Sequence, residues 1–342
     1  MASLRQPRAP ALLASARVPI KPRGDRPVNC LVTGASGFVG RQLCRQLARR
    51  GHTVTALSRA GGALADGRPT FAHDLCSADL DSALLRGVDV VFHLAGIAHR
   101  RADRAVYEQL NHLATAHLAR QAAAAGVGRF VFLSSVKAMG AGGGHAPRAE
   151  LDCTPPTDAY GRSKWRAETA LRQTLADSAM SVVIVRPALV YGAGVKGNLA
   201  RLVRAVARGL PRPPPGGARA MLAIDDLVTL LCLLGADAPP GVHTWIACDD
   251  EGYSTRYVYD LLREAGGRGR GRAWLPPWGW RLAAAALDAR TLRGGDESTY
   301  SRLFGADLYS SAAVQAATGW RPRCRLREFA AAVSAGDGGG PG

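Results

Sequence analysis

The stretch VNCLVTGASGFVGRQLCRQLARRG, residues 28–51, decides how the rest of the chain reads. Its opening, VNCLVTG, is an apolar run that reads as a buried strand. The residues that follow carry apolar positions at helical spacing up to Gly51, a suitable helix stop. Between the two, Gly34, Gly37 and Gly40 stand at G-x-x-G-x-x-G. A chain that leaves a strand, turns sharply beside an anion and enters a helix needs glycine there. It serves the turn, the close approach to a pyrophosphate, and the packing of helix on sheet. The helix then directs free N–H groups and the positive end of its dipole at the phosphates. Three glycines alone can be a plain turn, but the strand before and the helix after them point to dinucleotide binding.

Outward from this motif the pattern repeats. HTVTALSR (52–59) reads as a second strand, 88–94 as a short apolar strand, and 107–125 as a helix. GRFVFLSS (128–135) is another strand, 158–175 another helix, and SVVIVRPALVYG (181–192) another strand. Strands alternating with helices predict an α/β fold, a Rossmann-type doubly wound parallel sheet. Near-continuous apolar strands agree, since such sheets are buried on both faces. After Tyr191 the register loosens, with turn-rich PRPPPGGAR at 211–219 and a break at 239–241. Residues 253–332 read as a smaller helical lobe. The expected division is a disordered basic tail over 1–27, then a dinucleotide-binding domain over 28–190 with a later contribution from about 221–250. A substrate-binding lobe follows from 191–220 and 251–332, and a flexible tail over 333–342.

With 342 residues, 47% of them hydrophobic and 21% charged, the chain can build one large or two ordinary cores, which excludes wholesale disorder. No apolar run reaches the ~18 residues of a membrane helix, so membrane insertion is not expected. The net charge is +17, yet only four of the 44 basic residues are lysines: Lys21, Lys137, Lys164 and Lys196. The arginines are scattered, with no basic stripe interleaved with aromatics, so a nucleic-acid partner is not expected either. The seven cysteines lie far apart without C-x-x-C or Cys/His spacing. That pattern indicates neither a metal site nor a disulfide framework and suits a reducing cytoplasm.

Which dinucleotide binds depends on the end of the second strand, where an acid would hold the ribose of NAD. Here Ser58–Arg59 stand instead, with no acid until Asp66. A serine and an arginine can hold a 2′-phosphate, which favours NADP(H) over NAD(H); the alternative is a solvated arginine. Asp74, beside Leu75 and after a third expected strand, would either accept a hydrogen bond from adenine or cap the helix that follows.

Tyr160-Gly-Arg-Ser-Lys164 sets a phenol and an ammonium at i and i+4, on one helix face. A nearby ammonium stabilises phenolate and is expected to lower the tyrosine pKa, fitting it to move a proton at a sugar hydroxyl. Arginine would substitute poorly for Lys164. Ser135, at the end of the preceding strand, would hydrogen-bond the same substrate oxygen, although strand-end serines are often only helix caps.

Taken together, TGASGFVG, HLAG (93–96), NHLAT (111–115), FVFLSS, YGRSK and RPALVYG resemble an extended short-chain dehydrogenase/reductase of the nucleotide-sugar epimerase/dehydratase family, from about residue 28 to 322. The resemblance implies that Gly34, Ser36, Gly37, Phe38, Val39 and Gly40 bind pyrophosphate and that Leu94, Ala95 and Gly96 line the cofactor cleft. By the same resemblance Asn111 supports the active site, Ser135, Tyr160 and Lys164 form the catalytic set, and Lys164 also holds the nicotinamide ribose. Arg186–Pro187 would open the loop beside the nicotinamide. Asn198 and Arg219 match residues that hold a nucleotide-sugar diphosphate, Asp225–Asp226 match an acidic strand-to-helix position, and ATGWRP (317–322) matches a closing motif. His93 is expected to be packed in the sheet.

Departures narrow the implied activity. SSVKAMG replaces the usual S-S-x-x-V-Y-G, with Met139 in place of tyrosine and Lys137 near the substrate. That resembles the subgroup that reduces 4-keto UDP-sugars or epimerises UDP-N-acetylhexosamines in bacterial polysaccharide synthesis. No acid stands beside Ser135, which disfavours dehydration. The expectation is an oxidoreductase at C4 of a UDP-sugar, with reduction slightly ahead of 4-epimerisation by a retained NAD. The resemblance also implies a homodimer through the helices of Tyr107 and Tyr160. A non-catalytic dinucleotide sensor and an enzyme for a neutral carbonyl substrate are the competing readings.

Overall fold

A computed structural model describes residues 27–98, 102–142, 144, 146–195, 197–290 and 298–334. The expected tails, 1–27 except its last residue and 335–342 of the second, lie outside these. Strand β1 (Asn29–Thr33) runs into helix α1 (Phe38–Arg49), which turns Gly40, Leu43, Cys44 and Leu47 inward at helical spacing. Strand β2 (Thr53–Ser58), the short pair β3 (Gly62–Ala63) and β4 (Pro69–Ala72), and β5 (Val90–His93) follow.

Helix α2 (Arg104–Tyr107) continues through a π-helical turn, Glu108–Leu113, into α3 (Ala114–Ala124). The single helix expected over 107–125 therefore starts earlier and carries a bulge, whose one buried residue is Asn111. Such π-turns within α-helices are frequent at functional sites. Strand β6 (Arg129–Leu133), helix α4 (Ala159–Thr174) and strand β7 (Ser181–Pro187) come next.

The strand expected over 181–192 is two. β7 ends at Pro187, and β8 (Leu189–Tyr191) leaves the large sheet to pair with β9 (Ala218–Ala223). Between them Ala188 still bonds Ala247, so the chain crosses from one sheet to the other within a residue. Helix α5 (Asn198–Ala207) precedes β9. Helix α6 (Ile224–Ala236) and strand β10 (Val242–Ala247) return the chain to the large sheet.

That sheet has the order β10-β7-β6-β5-β1-β2-β4-β3, parallel throughout except for β3 against β4. Its direction of travel reverses at β1, between β2 and β5, and a crevice opens at the carboxyl ends of such a pair. Each face carries its own core. Leu43 and Leu47 of α1 meet Leu227 and Leu231 of α6 on one side; Leu118 of α3 and Leu171 of α4 meet Val91 and Phe130 on the other. The fold is a doubly wound, Rossmann-type α/β sheet.

The smaller sheet is built on β9, with β11 (Gly252–Tyr253) antiparallel and β12 (Ala306–Asp307) parallel. Helices α7 (Thr255–Ala265), α8 (Pro277–Arg290), α9 (Thr299–Phe304), α10 (Ala312–Thr318) and α11 (Leu326–Ser334) complete the chain. Asp226 ties the carboxyl end down: its Oδ2 accepts from the amides of Arg323 and Cys324, and its carbonyl accepts from Trp320 Nε1. Asp225 beside it is exposed. No helix among the described residues is long and apolar enough to cross a membrane, none of their carboxylates, histidines and cysteines cluster as metal ligands, and all seven cysteines are free.

Candidate active site

Two loops converge where the sheet changes direction. Gly34 leaves β1 at φ +68°, and a Cβ there would lie 2.7 Å from the amide nitrogen of Ala95, at the end of β5. A Cβ on Gly40 would lie 2.2 Å from Gly34 O, so only glycine lets α1 sit this close to its own strand. Gly37 is the N-cap and brings no capping side chain. The first amides of α1 therefore face outward with Ser36 exposed beside them, an arrangement suited to an anion. Phe38, Val39 and Leu94 pack partly against the core beneath. Thr33 Oγ1 accepts from Ala95 N and bonds His93, whose other ring nitrogen meets Thr115. His93 is fully buried and its pKa is pushed down to about 3 by burial, with Lys164 adding to the effect. It is a neutral strut, packed in the sheet.

The end of β2 divides the expected serine–arginine pair. Ser58 is buried, its hydroxyl bonded to Gly61 O and Thr70 Oγ1, while Arg59 is exposed. Only the arginine side chain faces solvent. Asp74 Oδ1 accepts from Cys76 N, closing a turn rather than capping a helix, and Leu75 packs against the second core.

Helix α4 starts after Pro155–Pro156 with Asp158 as N-cap, its carboxylate accepting from Gly161 N at 2.8 Å. This fixes Tyr160 in the first turn. Ser135 caps the 3-10 turn Val136–Met139 by accepting from Lys137 N, which leaves its hydroxyl proton for the phenol of Tyr160. Capping and contact with the tyrosine coexist. Tyr107 stands beside it, ring centroids 6.2 Å apart. Lys164 is buried, donates to Leu133 O at 2.9 Å and lies over the Phe132 ring.

The electrostatics correct one expectation. Tyr160 is pushed up to about 12, not lowered: burial outweighs the bond from Ser135, and Asp158 and Tyr107 add to the rise. Lys164 is not among the groups that move it, because its ammonium is turned to Leu133 O and is itself brought down to about 8 by burial. The tyrosine is held as a phenol.

Asn111 links the two sides. Its Oδ1 accepts from Ile97 N, and its Nδ2 donates to Ile97 O and Ser163 Oγ. A Cβ on Gly96 would meet Asn111 Oδ1 at 2.9 Å and Lys164 Nζ at 3.3 Å, so a glycine keeps this hollow open.

Sequence reasoning missed two acids. Glu168, fully buried one turn past Lys164, accepts from Ser134 Oγ at 2.6 Å and from Arg186 Nη2 at 2.6 Å, with Arg172 at 3.3 Å. Arg186 is thus an ion-paired anchor between β7 and α4, while Pro187 ends its strand, buried. The spacing Tyr160, Lys164, Glu168 is the signal that could have found Glu168. Asp307 on β12 is opposite Arg219 in register and takes both Arg219 (3.6 Å) and Lys137 (3.7 Å) on Oδ2. No local pattern marks Asp307, because two residues far apart in sequence make its role. Asn198, exposed at the start of α5, forms no hydrogen bond with these three among the described residues.

Comparison with known proteins shows the family. Residues 30–245 match the family model for the NAD dependent epimerase/dehydratase family. A UDP-glucose 4-epimerase of Vibrio cholerae is 31% identical over 317 residues, 89% of this chain and 94% of that protein. A quinoline-oxide ketoreductase of Stigmatella aurantiaca is 28% identical, over 69% of this chain and 72% of its own. Among solved structures, MoeE5 in complex with UDP-glucuronic acid and NAD superposes with TM-score 0.71 at 28% identity, covering 89% of this chain and 96% of that one. This chain is an enzyme of the NAD-dependent epimerase/dehydratase family.

Proposed function

We propose that the chain is an NAD(P)-dependent oxidoreductase acting at C4 of a UDP-sugar, and that it reduces a 4-keto UDP-sugar for polysaccharide precursor synthesis. The observation that carries this is a set of contacts. It runs from Tyr160 to Ser135, from Ser135 to the amide of Lys137, and from the Lys137 side chain through Asp307 to Arg219. Lys164, one helical turn from Tyr160, borders with Asn111 the hollow at Gly96. A proton donor and a cationic mouth thus share one surface. With this goes the division into a cofactor domain and a substrate lobe.

The open amides of α1 and the hollow at Gly96 fit a dinucleotide. Gly34, Ser36, Gly37, Phe38, Val39 and Gly40 would hold its pyrophosphate, Arg59 a 2′-phosphate, Asp74 and Leu75 the adenine side, and Leu94, Ala95 and Pro187 the cleft wall. NADP(H) rests on Arg59; NAD(H) is the alternative. The nicotinamide supplies or accepts the hydride when bound. Tyr160 gives its Oη proton to O4 as the ketone becomes an alcohol, a role suited to a tyrosine held as a phenol. Ser135 hydrogen-bonds the same oxygen, Lys164 holds the ribose, and Lys137, Asn198 and Arg219 take the diphosphate.

A second reading, 4-epimerisation of a UDP-hexose or UDP-N-acetylhexosamine with NAD retained, is supported by the Vibrio cholerae relative and by the NAD in the MoeE5 complex. One experiment separates them: the purified protein is mixed with UDP-sugars and 4-keto UDP-sugars, with and without NADH or NADPH, and followed by nicotinamide absorbance and product NMR. Reduction that consumes added cofactor supports the first; turnover of UDP-sugars without added nicotinamide overturns it in favour of the second.

Seven free cysteines suit a reducing cytoplasm. A homodimer is supported by exposed Val106, Leu113 and Trp165 on the helices of Tyr107 and Tyr160. Trp165→Glu should give a monomer by light scattering; an unchanged mass would place the contact elsewhere.

A further inference from the structure

Far along the chain from the catalytic residues, the fold gathers charges that are scattered in the sequence. Arg201, Arg204 and Arg208 lie exposed along α5, and with Leu210 they line an open hollow. The segment 268–272 carries exposed Arg268, Arg270 and Arg272 and is sewn to the end of this helix. Arg268 Nη1 donates to Ala207 O at 3.0 Å, and Arg212 N to Arg272 O at 3.1 Å. Immediately beyond stand Trp274 and α8. Trp280 faces inward on α8, edge-on to Phe304, and Ala284 is buried one turn on. The opposite side turns Trp278 and Leu282, one turn apart, to solvent: Trp274, Trp278 and Leu282 are 69%, 65% and 63% exposed.

From this we propose that exposed Trp274, Trp278 and Leu282, together with the arginine-rich 268–272 segment that leads into them and the end of α5 it is tied to, form a docking surface for an anionic lipid bilayer, on which the protein lies without spanning it. Arginines flanking exposed tryptophan and leucine match a negatively charged headgroup layer above an apolar interior, and tryptophan settles at that boundary. Nucleic acid would meet the arginines and stack on the indoles, but Leu282 has nothing to do there. A second copy of this chain would meet its own like-charged arginines. The bilayer is the occupant that uses every feature of the face.

The test is co-sedimentation of the full chain with vesicles of phosphatidylcholine alone and of phosphatidylcholine mixed with phosphatidylglycerol. Binding is expected to the mixed vesicles only, and to weaken as salt rises. Trp278→Ser with Leu282→Ser should weaken it about tenfold or more. Arg204→Ala with Arg208→Ala should weaken it about fivefold per arginine. Circular dichroism and retained turnover would show both variants folded. The proposal is overturned if the wild type ignores mixed vesicles, or if the Trp278/Leu282 variant binds them as well as the wild type. It is equally overturned if that variant instead loses self-association or binding to homopolymeric RNA that the wild type shows in place of lipid binding.

Discussion

Lys164 is a stability cost that the site carries, and its size can be worked out. Burial moves its pKa from 10.5 to about 8. At about 1.36 kcal/mol per pH unit the charged form therefore costs about 3 kcal/mol below the folded value. Lys164→Met removes that cost and forfeits the bond to Leu133 O, which returns about 1 kcal/mol. Near neutral pH the variant should be the more stable protein by about 2 kcal/mol. The sign then changes with pH. Between about 8 and 10.5 the unfolded lysine keeps its proton while the folded one has lost it, so wild-type stability gains on the variant as pH rises. Above that window the variant should be the less stable by about 1 kcal/mol, the hydrogen bond alone remaining. Urea unfolding of both proteins across the window measures this. Deprotonation of the buried tyrosines and cysteines is common to both and cancels in the difference. A difference that does not vary with pH, or a variant less stable near neutrality, would refute the reasoning.

Three further outcomes follow from the site. Tyr160→Phe should lower kcat by about 10²–10⁴ while leaving nucleotide binding intact, as checked by turnover and calorimetric titration; full turnover would remove Tyr160 from the chemistry. Glu168→Ala leaves Arg186 buried without its partner and should cost about 3–5 kcal/mol in denaturant unfolding; a cost below about 1 kcal/mol would show that Arg186 finds other acceptors. Arg219→Ala should raise KM for the nucleotide sugar with little change in kcat, by the ten- to hundredfold that loss of a charge-assisted bond of about 1.5–3 kcal/mol implies.

The centre of the large sheet was legible because β5 and β7 are buried on both faces, and β1 and β6 nearly so, and their sequences show it. VNCLVTG and SVVIVRP need no context to be recognised. What the residues could not show is where β7 hands over to β8, since PALVY is as apolar in one sheet as in two. Nor could they show the π-turn at Asn111, which adds a residue within an otherwise helical pattern. The glycine loop and the Tyr160/Lys164 pair were legible because their spacing is local. Asp307 was not, because a strand of two residues brings it to Arg219 across most of the smaller lobe. The direction of the tyrosine's pKa was missed for a related reason. Spacing placed an ammonium nearby, but not the Leu133 carbonyl that claims it or the burial that outweighs it.

One face of α4 explains why these features belong together. Tyr160, Lys164, Glu168 and Arg172 succeed one another at i+4, so they form a single ridge. Each is held from the sheet beneath: Tyr160 by Ser135, Lys164 by Leu133 O, Glu168 by Ser134 and Arg186, Arg172 by Thr244. Three of these partners are the consecutive residues 133–135 at the end of β6. A shift of α4 along its axis would therefore break every contact at once, and the buried Glu168–Arg186 pair sets the cost of such a shift. The ion pair does not touch the reacting atoms. On the proposed mechanism, it is what keeps a half-buried phenol and a buried lysine where proton transfer needs them. Glu168→Gln, which keeps the shape but not the charge, should accordingly loosen the position of Lys164 more than it loosens the sheet. Its mark would be a kcat that falls while KM for the cofactor rises, with strand amides still protected in hydrogen exchange. Equal loss of protection in α4 and β6 would instead make Glu168 a general core residue with no positioning role.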